Sequence, residues 1–234
     1  FEGVIFRYDG GRSAVDTVDF ALPLGRKLAI VGPVGSGKTT IARLLSGEFR
    51  PTSGRIMVNG RDLAEMDLMD YRRRVGYIPQ EALLFSDSVR ENVSFGRGHD
   101  DGLVEGALRM AQVEEEVRVF PNGLEEMLGQ RGVRVSGGQR QRLAIARAVI
   151  GDPDVLIMDD VTAALDGENE ERLWDAIEER RKDVTAVLVT HRISTARRAD
   201  EILVIDGGRV VDRGTHDELV GRCTLYRRLA SAKE

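Results

Sequence analysis

Apolar and polar positions along this chain follow two periods, and the period switches repeatedly. Residues 4–22, VIFRYDGGRSAVDTVDFAL, alternate around a Gly-Gly break, which predicts two strands joined by a turn. RKLAIVG (26–32) reads as a short buried strand, and GPVGSGKTTIARLLSGEFRP (32–51) as a glycine loop entering a helix that ends at Gly47, before Pro51. GRIMVNG (54–60) suggests a hairpin strand and RRVGYIPQ (73–80) another strand. From about Ser86 to Phe120 the spacing turns helical, with Leu103, Ala107, Met110 and Ala111 expected on one core-facing stripe. VSGGQRQRLAIARAVI (135–150) predicts a helix with a polar start. VLIMDD (155–160), the helix 168–181, TAVLVT (185–190), a helix from about Ser194, EILVID (201–206), RVVDRG (209–214) and a last helix follow. Strand–helix alternation of this kind predicts an α/β fold, a parallel sheet with helices on its faces. The helical stretch, roughly 81–150, is expected to form a separate lobe between core segments 1–80 and 151–234.

Length and composition change this picture little. The 234 residues are 41% hydrophobic and 31% charged, enough for one large core of ordinary soluble type. No apolar run approaches the roughly 18–20 residues of a membrane helix, and no signal-peptide pattern is visible. Because it begins at Phe1, the chain reads as an excised segment. The single cysteine, Cys223, excludes an intrachain disulfide and fits a reducing compartment. Net charge is −5, and the positive charge is nearly all arginine scattered among acids, which argues against a nucleic-acid-binding face. Trp174 at helical spacing with Ile177 is expected in the core, His99, His216 and the run Glu114–Glu116 at the surface.

Residues 32–39, Gly32-Pro33-Val34-Gly35-Ser36-Gly37-Lys38-Thr39, complete the pattern G-x-x-x-x-G-K-[ST] between a strand and a helix. Glycines there let successive N–H groups turn toward phosphate oxygens, and the helix start adds partial positive charge. Lys38 is expected to reach the β- and γ-phosphates of a nucleoside triphosphate and Thr39 to ligate Mg²⁺. Asp159, ending the strand VLIM, would lie at the sheet's C-terminal edge beside the loop and hold the metal through water. Ser136 is a good helix N-cap, with Gly137 and Gly138 allowing close approach, so a second anion-binding helix start exists. Two incomplete halves on one chain suggest two chains sandwiching nucleotide head to tail.

In this order and spacing the chain resembles the nucleotide-binding domain of ABC transporters over nearly its whole length. The resemblance implies an ABC ATPase core with an antiparallel β subdomain, plus a helical lobe carrying the signature. It implies that Tyr8 stacks on adenine, that Gly32 to Thr40 cradle the phosphates, and that Gln80 touches Mg²⁺ and the attacking water. Ser136, Gly137, Gly138 and Gln139 would serve the partner's ATP, Asp166 in AALD would lie at the dimer interface, and His191 would contact the γ-phosphate. YIPQEALLFSDSVRENVSFG and VTHRIST resemble the exporter branch, which implies a fused or associated transmembrane domain and a place at the cytoplasmic face of the membrane. Gln130 stands where an exporter usually has Glu. Asp160 also departs: the family places Glu there to polarise water. A side chain one methylene shorter implies good ATP binding and impaired hydrolysis. The implied partner is a second domain with its own Glu, in a heterodimer; two slow copies, or a regulatory module without turnover, are the alternatives.

Overall fold

The computed structural model describes residues 1–9, 11–129, 132–161, 167–180 and 184–231, with side chains throughout except at 167–171 and 180. A six-stranded sheet organises the chain. It contains β3 (Lys27–Val31), β7 (Val75–Ile78), β8 (Val155–Asp159), β9 (Thr185–Val189), β10 (Glu201–Asp206) and β11 (Arg209–Gly214) in the order β11-β10-β3-β9-β8-β7. Only β11 is antiparallel to its neighbour; it closes an edge after a tight turn at Gly207 and Gly208. A second sheet, order β2-β1-β4, is antiparallel and joins β1 (Glu2–Arg7), β2 (Ser13–Val18) and β4 (Ser53–Arg55). A two-strand hairpin, β5 (Met57–Val58) and β6 (Arg61–Asp62), follows.

The five parallel strands are buried on both faces, as their near-continuous apolar runs require. Alternation along each strand splits the core in two. Ala186 and Leu188 of β9 join one cluster, whereas Val187 and Val189 join the other. The second cluster takes α1 (Lys38–Leu45), α2 (Leu68–Arg73) and the antiparallel sheet. The first takes α3 (Val89–Ser94), α4 (Asp101–Met110), α5 (Glu114–Arg118), α6 (Gly137–Val149), α7 (Gly167–Arg180) and, through Leu219 and Tyr226, α9 (His216–Arg222) and α10 (Thr224–Ser231). A single turn, α8 (Ile193–Ala196), separates β9 from β10. Trp174 is fully buried in the first cluster, as its spacing predicted.

Several expectations are refined or corrected. The stretch 86–120 is helical as expected, in three short helices, of which the first two stop where Phe95 and Gln112 take positive φ. On α4 the expected Ala107 and Ala111 are buried and Met110 packs against the core, but Leu103 is 42% exposed and Val104 and Leu108 are buried beside them. Glu114 is not solvated. It is buried and accepts hydrogen bonds from Arg109 and Arg118, and Glu116 pairs with Arg142 of α6. His216 is half-buried, with Nδ1 2.9 Å from the hydroxyl of buried Tyr226, and His99 is half-buried too.

The segment after β7 is held by one side chain. Asn92 of α3, fully buried, accepts from the Phe85 amide at 2.8 Å and donates to the carbonyls of Phe85, Asp87 and Ser88. Arg147 of α6 donates to the Asn92 carbonyl at 2.7 Å and to that of Leu83 at 2.8 Å, with its guanidinium over the Phe85 and Phe95 rings. Removing the amide would orphan several buried groups at once. Asn92→Ala is therefore expected to lose about 2–3 kcal/mol in urea denaturation. A loss within about 0.5 kcal/mol, the range of an ordinary surface change, would show that the loop does not depend on it.

Candidate active site

Register decides where the chemistry gathers. Ile30 pairs with Val189, Asp159 with Val189, and Ile78 with Met158. Strands β3, β9, β8 and β7 thus end level, and the residues just beyond them, Gly32, His191, Asp160 and Gln80, emerge at one edge. That edge, beyond the carboxyl ends of parallel strands, is where α/β sheets bind ligands.

The turn from β3 into α1 is built for close backbone approach. A Cβ on Gly32 would stand 2.1 Å from the Ile205 carbonyl oxygen. One on Gly37, whose φ is +105°, would stand 2.2 Å from that of Ala14. The loop is further fixed by the Gly208 amide, which donates to the Ser36 carbonyl at 3.0 Å. Helix α1 begins at Gly37 with no side-chain cap and no acid in its first turn. Its first amides are therefore free to meet an anion. The Ser36 hydroxyl, buried and without a hydrogen-bond partner, lies within the same loop. An orphaned buried donor beside uncapped amides fits a phosphate group. The Lys38 ammonium donates to the carbonyls of Gly32 and Pro33 at 2.9 and 2.8 Å. Burial pulls its pKa below the usual lysine value, against the opposing pull of Asp160 and Asp159.

Asp159 is 1% exposed. Thr39 donates to one carboxylate oxygen at 3.1 Å and Tyr77 to the other at 3.4 Å. Burial raises its pKa above 3.8, with Asp160 adding to the rise and both hydroxyls opposing it. A hydroxyl and a buried carboxylate side by side are hard oxygen donors of the kind Mg²⁺ takes, and exposed Gln80 lines the same groove. Asp160 adopts φ +50° and its amide donates to the Val189 carbonyl at 2.8 Å. Its Oδ1 lies 2.6 Å from His191 Nδ1, close but not aligned as a hydrogen bond.

Tyr8, just past β1, reaches the loop: its hydroxyl is 3.1 Å from that of Thr40. Phe6 and Phe49 meet the ring edge-to-face, and the side chain stays 46% exposed. At the start of α6, Ser136 and Gln139 form a reciprocal capping box, with the Gln139 amide donating to Ser136 at 3.2 Å and the Ser136 amide to Gln139 at 2.8 Å. Gly137 is exposed, with nothing within 4 Å of where a Cβ would stand. Asp166 and Gln130 lie outside the described residues.

Residues 15–163 match the profile of the family described as ABC transporter. The chain belongs to that family. It is an ABC transporter ATP-binding domain, and its relatives are similar over almost all of it. It is 43% identical over 232 residues to the ATP-dependent lipid A-core flippase of Burkholderia pseudomallei (strain 1710b), covering 98% of this chain and 39% of the relative. It is 42% identical over 233 residues to the flippase of the same description from Paraburkholderia xenovorans (strain LB400), again spanning 39% of that protein. Among solved structures, a bacterial Atm1-family ABC exporter with ATP bound superposes with a TM-score of 0.92 at 36% identity, over 98% of this chain and 40% of that one. The chain thus spans about two fifths of the length of these relatives, whose remaining parts are not represented in it.

Two residues of this ABC site escaped the sequence reading. Tyr77 sits at an alternating position of β7, which reads as core, and Arg43 is one more basic residue on α1. The pairing of β7 with β8 and the packing of α1 on β8 bring them to Asp159; the spacing of four between Thr39 and Arg43 is a local signal for the second.

The raised pKa of Asp159 has a measurable consequence. Between 3.8 and the raised value the folded protein binds this proton more tightly than the unfolded chain, so the group's contribution to stability falls as pH rises through that window. Asp159→Asn removes the buried charge. The nucleotide-free variant is expected to melt above wild type at pH 7, with the gain vanishing below pH 3.8. Equal melting at both pH values would mean that the buried carboxylate carries no such penalty.

Proposed function

We propose that this chain is the ATP-binding half of a head-to-tail pair that drives an exporter's membrane domain, and that its own site binds ATP well and hydrolyses it slowly. The reading is carried by the convergence at one sheet edge of an uncapped phosphate loop, a Thr39–Asp159 donor pair, and an acid beside His191. In this reading Gly32 to Thr40 cradle the phosphates, Tyr8 offers its open face to adenine, and Lys38 leaves its loop carbonyls for the β- and γ-phosphates. Thr39, Asp159 and Gln80 would hold Mg²⁺, which when bound neutralises charge on the β- and γ-phosphate oxygens. Residues 1–80 with 151–234 form the ATP core and 81–150 the lobe bearing the signature.

The pairing is supported by Gly137. Among the described residues no neighbour requires a glycine there, whereas a second domain bringing its γ-phosphate against the amides capped by Ser136 would. The membrane domain is supported by exposed apolar residues beside a groove of about 850 Å³: Leu83 is 72% exposed, Phe85 50% and Phe95 52%. Among the described residues no helix is long and apolar enough to cross a membrane; in this reading a membrane domain outside this chain holds the ATP-binding domain at the cytoplasmic face. Cargo does not transfer with the likeness to lipid A-core flippases, because the likeness lies in the ATPase region.

Slow turnover follows from reach. A base must come within about 2.6–3.2 Å of the water it activates, and the Asp160 side chain is one methylene shorter than the Glu the family places there. Asp160→Glu is expected to raise steady-state Mg-ATP turnover by about 10- to 100-fold, the scale of a displacement near 1 Å. ATP affinity, measured in parallel with a fluorescent analogue, should be unchanged. Equal turnover would make Asp160 an adequate base and the pair a homodimer with two working sites. A silent wild type beside an active variant supports a partner that carries its own Glu.

A further inference from the structure

Tyr77 opens the YIPQ segment, three residues before Gln80, and the sequence alone assigns it no role of its own. Thr39 holds one oxygen of the Asp159 carboxylate, and the Tyr77 hydroxyl holds the other. The second tether matters because the terminal torsion of an aspartate is soft and roughly two-fold. A carboxylate bonded at one oxygen swings about that bond. Bonded at both, by hydroxyls from α1 and β7, its plane is set.

Tyr77 is itself braced. Arg43, one turn beyond Thr39 on α1, lies close enough to the phenol to pull its pKa down, although burial and Asp159 together keep that pKa well above the ordinary tyrosine value. The Arg43 guanidinium stands 5.6 Å over the centre of the Phe49 ring and 3.9 Å from the Glu48 carboxylate. Phe49 in turn meets Tyr8 edge-on, with ring centres 5.7 Å apart. Arg43 thus stands between the aromatic group beside Thr40 and the Tyr77 phenol that reaches Asp159. A strand tyrosine that merely filled space would need neither its hydroxyl on the acid nor a cation behind it.

We propose that Tyr77, braced by Arg43, is a positioning residue that sets the orientation in which Asp159, with Thr39, receives Mg²⁺ arriving with ATP. This rests on the assignment of Asp159 to the metal made above. The test titrates Mg²⁺ against the full chain at a fixed concentration of a fluorescent ATP analogue, with a parallel nucleotide titration in EDTA. Tyr77→Phe is expected to raise the Mg²⁺ half-saturation point about tenfold, the lower end for loss of a residue that orients a metal ligand. Its affinity for nucleotide in EDTA should match wild type. Arg43→Gln should raise the half-saturation point about threefold, and Arg43→Lys, which keeps the cation, should restore most of the difference. An unchanged half-saturation in Tyr77→Phe overturns the proposal, and so does an equal loss with and without Mg²⁺, which marks a packing role. If Tyr77→Phe does not fold, the Arg43 pair decides by the same criteria. A wild-type chain that binds the analogue equally in Mg²⁺ and EDTA removes the metal assignment of Asp159 itself, a failure visible before any variant is made.

Discussion

Everything at this site depends on the register of four parallel strands. Because β3, β9, β8 and β7 end level, residues far apart in sequence reach one edge without any loop having to fold back. A slip of one residue in β8 would turn Asp159 to the opposite face of the sheet. The alternation of β8 between two apolar clusters guards against this, since a slip would also carry Leu156 and Met158 out of one core and Ile157 out of the other. Catalytic geometry is thus secured by hydrophobic burial on both faces of the sheet rather than by bonds among the polar groups.

That arrangement carries an electrostatic cost. Asp159 is buried with a second acid beside it; two hydroxyls are its side-chain hydrogen-bond partners among the described residues, and Arg43 adds only a more distant positive charge. A buried carboxylate with neutral partners is poorly satisfied and gains from a cation. The same holds on the other side of the loop, where Lys38 is partly desolvated and fastened to carbonyls. The site holds opposite charges near each other without pairing them directly. A ligand carrying phosphates and a divalent ion relieves both, so the unliganded structure is already biased toward that ligand.

The parts of this site that were legible in the sequence are those defined by local spacing. Gly32 to Thr39 form one turn, Ser136 and Gln139 one cap, and Asp159 the end of one apolar run, so their neighbours in space are their neighbours in sequence. Tyr77 was not legible, because its partner comes from a strand 82 residues later. Glu114 misled for a related reason: a run of three acids looks solvated until α4, α5 and α6 place Arg109, Arg118 and Arg142 around it. On α4, the choice of Val104 for the core with Leu103 outside is one that a periodic pattern with several apolar candidates leaves open. Polar contacts across elements are where local reading ends.

Position 160 brings these constraints together. Its backbone is in the left-handed region, where Asp is tolerated better than most side chains, and its amide is tied to β9 at Val189. Such a conformation persists only where the surroundings over-determine it; here the register of β8 against β9 does so. The main chain therefore cannot advance to make up for a missing methylene, since moving it would break the sheet pairing that aligns Asp159. Reach at this position has to come from the side chain alone. An Asp here stands with Oδ1 2.6 Å from His191 Nδ1, at the sheet edge. The extra distance to a water beyond the γ-phosphate would need the longer side chain, and this limit on reach is the physical basis of the slow turnover proposed above.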